Sequence, residues 1–211
     1  MMPRYPGVHA LARAERSEFV ALLQDLAPQQ WGAPSLCRGW TVRDVVAHTV
    51  AYLGQSRMIL TANMIRARWD IDRLNADGLA EHADAGPDEL VRLMRAGIEP
   101  SGAAALYRGR VALIECLIHQ QDIRRPLGLP RVIPADRLRA ALSYARISPV
   151  IGGARRTRGL RLIATDIDWS AGSGTELRGP GEALLLAMTG RTEAVADELA
   201  GPGSSELRRR G

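Results

Sequence analysis

Residues 111–128, VALIECLIHQQDIRRPLG, read as a helix that places Glu115, His119 and Asp122 at i, i+4 and i+7, so the three project from one narrow stripe. Leu113, Ile114 and Leu117 fall on other faces and can pack inward. A carboxylate and an imidazole one helical turn apart can both reach one divalent ion when neighbouring helices enclose them. The same spacing also fits a solvated helix face with an ordinary charged pair. A third ligand on another element separates the two readings.

His48 supplies that candidate. Thr41 is a good N-cap and Asp44 completes a capping-box start, so a second helix begins there with Val42, Val45, Val46, Thr49 and Leu53 on its apolar face. His48 lies one turn after Asp44 and one before Tyr52, on a stripe bordering that face. Alone, such a histidine is ordinarily a satisfied core residue. Beside Glu115 and His119 it becomes the third ligand, because two neighbouring bundle helices can aim side chains at one point. His82 sits between Glu81 and Asp84 in a segment without periodicity and carries little weight as a ligand.

Composition removes several chemistries. All 28 basic residues are Arg, so no lysine Schiff base, P-loop lysine or lysine general base is available. The net charge of +5 raises nucleic acid as a partner, but the arginines are scattered. The dense runs, residues 155–158 and 208–210, lack interleaved aromatics, and the second reads as a mobile tail; no nucleic-acid partner is expected. A mild positive bias suits a small anionic substrate equally well. Cys37 and Cys116 show no Cys-x-x-Cys spacing, and no signal peptide or membrane-spanning run is seen, a pattern expected of a reducing, cytoplasmic setting. Cys116 points away from Glu115 and reads as buried packing.

The expected fold is mostly α: a four-helix bundle over residues 1–130, then a helix and a small α/β appendage with a flexible tail over residues 131–211. Residues 1–7 read as a lead-in and residues 9–27 as the first helix. Residues 31–40, WGAPSLCRGW, form a loop, the second helix runs on to about residue 69, and residues 71–87 form a loop. Residues 88–96 are a short helix, the Glu115 helix spans about 104–125, and a fifth helix follows Pro134. Residues 155–159 read as a basic turn and residues 160–167 as a strand. Residues 170–174 are a turn leading to a hairpin partner at 175–178, and two short helical segments precede the tail.

Three separated segments carry a family resemblance. Trp31, Pro34, Ser35, Cys37, Gly39, Trp40, Val42, Asp44, Val45, Val46 and His48 follow the pattern W-x-x-P-S-x-C-x-G-W-x-V-x-D-V-V-A-H. Glu115, His119, Asp122 and Gly128 follow E-x-x-x-H-x-x-D-x-x-x-x-x-G, and Gly179, Pro180, Leu184, Leu185, Leu186, Gly190 and Arg191 follow G-P-x-x-x-L-L-L-x-x-x-G-R. The chain thus resembles the DinB-like metal enzymes, in the branch of mycothiol-dependent maleylpyruvate isomerases, over residues from about 10 to 200.

That resemblance implies a bundle binding one divalent metal, usually zinc (nickel and manganese being the alternatives), through two His and one Glu, which match His48, Glu115 and His119. It also implies mycothiol, an actinobacterial thiol, as cosubstrate. A thiol at the open position of such an ion loses its proton, and the thiolate adds to a small electrophilic substrate, then leaves (isomerisation) or stays (S-transfer). Asp122 is expected to orient an imidazole N–H or act in catalysis, a fourth metal ligand being the alternative, and Arg191 to hold a substrate carboxylate bidentately. The C-terminal part is shorter than in the full isomerases, so maleylpyruvate itself does not follow from the resemblance. A metal-dependent hydrolase with Asp122 as base, and a ligand-binding sensor without turnover, are the other readings. The expected oligomeric state is monomer or homodimer.

Overall fold

The computed structural model of the protein describes residues 7–210; the expected lead-in falls almost wholly outside these residues. The fold is mostly helical with one small sheet, as expected. It divides into two compact units, Met1–Pro130 and Arg131–Gly211.

In the first unit, α1 (Val8–Asp25) carries Leu11, Ala12, Phe19, Val20, Leu22 and Leu23 on its buried side, the i, i+4 recurrence of an amphipathic helix. It packs along α6 (Leu106–Arg124) and α5 (Pro87–Ala96), while α2 (Val42–Ala51) packs against the same two, so these four helices enclose one core. Phe19, Val45, Val46, Leu90, Met94, Cys116 and Ile123 meet in it. The regular part of α6 starts late, because Tyr107, Arg108 and Gly109 all have left-handed backbone angles.

Two expectations between α2 and α5 are corrected. The second helix does not run to residue 69. It stops at Ala51, and α3 (Arg57–Arg66) starts afresh where the Ser56 side chain accepts a hydrogen bond from the Ile59 N–H at 3.1 Å. Residues 71–87 are not a loop throughout: α4 (Ile71–Glu81) forms there, capped by Asp70, whose carboxylate accepts from the Asp72 and Arg73 N–H groups. Its single buried side chain, Leu74, is too little apolar pattern to read from sequence.

The second unit holds α7 (Ala135–Ile147), α8 (Gly153–Arg156), a three-stranded sheet, and α9 (Gly181–Met188), which packs on α7. The strands are β1 (Leu160–Ala164), β2 (Ser170–Gly172) and β3 (Thr175–Gly179), in the order β2-β1-β3. Here the expected hairpin is corrected. Residues 170–172 are themselves the antiparallel partner of β1, and residues 175–179 pair with β1 in parallel on its other edge, Leu162 opposite Leu177. The crossing depends on Gly172 and Gly174, both at positive φ; a Cβ there would sit 2.3 Å from the Leu160 carbonyl oxygen and 2.1 Å from that of Gly159. The C-terminus is corrected too. The expected flexible tail contains α11 (Gly203–Arg208), anchored by buried Leu207, after a single turn of helix, α10 (Thr192–Val195).

Candidate metal centre

The site is assembled in the first unit from α2, α6 and the loop ahead of α2. The Thr41 hydroxyl accepts from the Asp44 N–H at 3.2 Å, and the Asp44 carboxylate accepts from the Thr41 N–H at 2.9 Å. This reciprocal cap sets the phase of α2, so His48 and Tyr52 follow Asp44 at successive turns on one side. On α6, Glu115 and His119 lie one turn apart.

The candidate ligand atoms of His48, Glu115 and His119 lie within 4.8 Å of one another. The imidazoles of His48 and His119 meet edge to face, centroids 4.9 Å apart, and both residues are 9% exposed. Trp40 and Tyr52 stand against the His48 ring at 5.1 and 5.0 Å. Burial pushes the Glu115 carboxyl above its ordinary value, while His119 and Arg16 pull it down. Tyr52 is pushed up to about 12, first by burial and then by the charges of Glu115 and Glu81, and its hydroxyl donates to the Asn75 side chain at 3.0 Å.

Asp122 is fully buried one further turn along α6. Its Oδ2 lies 2.9 Å from Nδ1 of His119. A carboxylate there holds the ring proton on Nδ1 and leaves the Nε2 lone pair for a ligand or ion. The same oxygen accepts from the Cys37 thiol at 3.2 Å, and the Leu36 N–H donates to the Asp122 backbone carbonyl at 3.0 Å, so the WGAPSLCRGW loop is stitched onto α6. With His119 and Asp122, Cys37 thus forms a second close group of donor atoms. Cys116 is 1% exposed, and burial is the main cause pushing its thiol up to about 12.

Two participants, Arg16 and Glu15, lie outside every motif, and a third, Trp40, stands in one without its role being legible there. Arg16, 1% exposed on α1, donates to the Gly97 carbonyl at 2.6 Å and sets its charge against Glu115 and Cys116. Glu15 beside it accepts from the Gln120 amide at 2.6 Å, joining α1 to α6. Trp40 reaches His48 because Ser35 and Pro34 fold the loop back, the Ser35 hydroxyl donating to the Trp40 carbonyl at 2.9 Å. The available signal was charged residues at core-facing positions of α1: Arg16 shares the four-residue spacing of Ala12 and Val20.

The remaining candidates belong to other elements. His82 caps the end of α4, with its carbonyl accepting from Arg43 at 2.6 Å. Arg191 is in the second unit at the start of α10, where its guanidinium donates to the Thr189 carbonyl at 2.8 Å.

Two buried imidazoles, one with a fixed tautomer, and a partly buried carboxylate are a donor set suited to zinc or another borderline divalent ion. Fold and donor set together define a helical-bundle protein with a candidate three-donor metal pocket. Residues 12–106 match the family model of the mycothiol maleylpyruvate isomerase N-terminal domain, and the resemblance seen in the motifs is to that family. The match includes His48 and ends before Glu115. Among solved structures the fold is similar to two crystal structures of the mycothiol-dependent maleylpyruvate isomerase, one of them a mutant. Each shows 18% identity and a TM-score of 0.56, over 93% of this chain and 92% of that one. No curated protein matches. Among the described residues, no helix is long and apolar enough to cross a membrane.

Proposed function

We propose that the protein is a metal-dependent enzyme that uses a low-molecular-weight thiol, mycothiol by its domain type, for isomerisation of, or S-transfer to, a small electrophilic substrate. The observation carrying this reading is the convergence of His48, Glu115 and His119 within 4.8 Å inside a bundle whose N-terminal part matches that domain. These three residues would hold the ion. Once bound, a divalent cation supplies the positive charge that deprotonates a coordinated thiol near neutral pH.

The chain's own residues do the rest. Asp122 orients His119 and fixes its tautomer, which raises the ligand's basicity. Trp40 and Tyr52 brace the His48 ring and exclude water from that side. Arg16 places a buried positive charge near Glu115, which favours the anionic form the ion needs. Arg191, whose guanidinium donates to the Thr189 carbonyl, is a candidate for a substrate carboxylate because a planar guanidinium pairs with it bidentately. A hydrolase using Asp122 as base is disfavoured, because that carboxylate is fully buried and already accepts from His119 and Cys37.

The test is the metal content of purified protein beside His48→Ala, Glu115→Ala and His119→Ala. The expected result is close to one divalent ion per chain in the wild type and a large loss in each variant, with helicity by circular dichroism retained. A wild type that takes up no zinc, nickel or manganese on reconstitution overturns the reading. Zinc-loaded protein reacting with an electrophile panel only when a thiol is added separates thiol chemistry from hydrolysis.

A further inference from the structure

The two dense arginine runs, half a hundred residues apart in sequence, come together in the second unit. The Arg210 guanidinium donates to the backbone carbonyls of Arg156 at 3.2 Å and Arg158 at 2.7 Å. The supposed tail is thus folded onto the basic turn. Beside that junction lies a concavity of about 480 Å³ between the end of α7 and α8, lined among others by Arg146, Ser148, Arg155 and Arg156 and by no acidic residue. Its volume is in the range of small-molecule pockets.

The three arginines differ in what they do. Arg156 is committed to the fold, donating to the carbonyls of Ile151 and, at 3.2 Å, Met188, and so holding the pocket's rim in place. Arg146 and Arg155 line the same concavity, yet among the described residues their side chains make no hydrogen bond or ion pair. Three arginines lining one concavity with no acid among its lining residues is an unfavourable arrangement that an anion would relieve. In keeping with this crowding, burial and then the charges of Arg155 and Arg191 push the Arg156 guanidinium below its ordinary value. No aromatic side chain lines the concavity, so it lacks the stacking platforms of a single-strand nucleic-acid site.

We infer that this concavity is a binding site for a small divalent oxyanion, a dicarboxylate or a phosphate, held by the planar forks of Arg146 and Arg155 on a frame fixed by Arg156. Planar guanidinium forks match both chemistries bidentately. Every residue named in it belongs to the second unit, and its existence does not depend on the metal reading.

The experiment is calorimetric titration of the full-length protein with inorganic phosphate and with succinate, against chloride and acetate at matched ionic strength. Saturable one-site binding is expected for at least one divalent probe, weakened roughly tenfold or more in Arg146→Gln/Arg155→Gln, a loss of one or more hydrogen-bonded charge pairs. That double variant keeps its fold, since neither side chain has an internal partner to lose, and circular dichroism checks it. Heat with phosphate alone assigns the oxyanion to phosphate; heat with succinate alone assigns it to dicarboxylates. His119→Ala is expected to bind as the wild type does. No saturable binding to either probe, unchanged affinity in the double variant, or loss of binding in His119→Ala overturns the assignment.

Discussion

Asp122 shows how much one buried side chain can decide. It is 0% exposed, and a single oxygen of its carboxylate receives both the His119 imidazole and the Cys37 thiol. Asp122→Ala is expected to weaken metal binding about 10- to 100-fold while leaving the three ligands in place, read by competition with a chromogenic chelator. Cys37→Ala, by contrast, is expected to keep one ion per chain; loss of the ion in that variant would make the thiol a ligand. The cysteines should also differ in reactivity. In native protein iodoacetamide should modify the partly exposed Cys37 and spare Cys116, 1% exposed, until denaturant is added; mass spectrometry distinguishes the two. The helical period alone was enough to put Glu115, His119 and Asp122 on one stripe, because side-chain direction along a helix is a local property. Trp40 and Cys37 stand in the loop motif, but the contacts that they and Arg16 make around α6 were not legible, because those depend on which helix and which loop pack against it.

At the scale of elements, the capping box at Thr41 is both a stability device and a positioning device. Thr41→Ala removes the acceptor for the Asp44 N–H and should cost about 1 kcal/mol in chemical denaturation. Because the same cap sets the phase of α2, it is also expected to weaken metal binding; an unchanged affinity would show that packing alone holds His48 in place. Leu90, 0% exposed on α5, packs in the core that α2 and α6 share, so Leu90→Ala should cost about 2–5 kcal/mol. The helices with a strong apolar stripe, α1, α2 and α5, were readable in advance. The failures, α3 and α4, have none and one buried residue respectively, so their hydrophobic pattern carries almost no signal. What marks them instead is capping chemistry at Ser56 and Asp70, a weaker cue in sequence than periodicity.

For the molecule as a whole, every candidate metal ligand and every support described for it falls within residues 1–130. A fragment ending at Pro130 is therefore expected to remain helical and to bind one divalent ion with the full chain's affinity, by circular dichroism and metal analysis. Loss of the ion in a fragment that stays folded would mean that the second unit completes the site. Sequence by itself determined the helical class, the cap of α2 and the ligand stripe, since each follows from near-neighbour periodicity and local hydrogen bonding. Only the tertiary structure decided which edge of β1 receives residues 175–179, that the arginine-rich tail folds back on the basic turn, and that His48 comes within reach of Glu115 and His119. Those outcomes are long-range: each needs distant backbone segments to approach closely, and the cost of closing such loops is recovered only when whole elements pack.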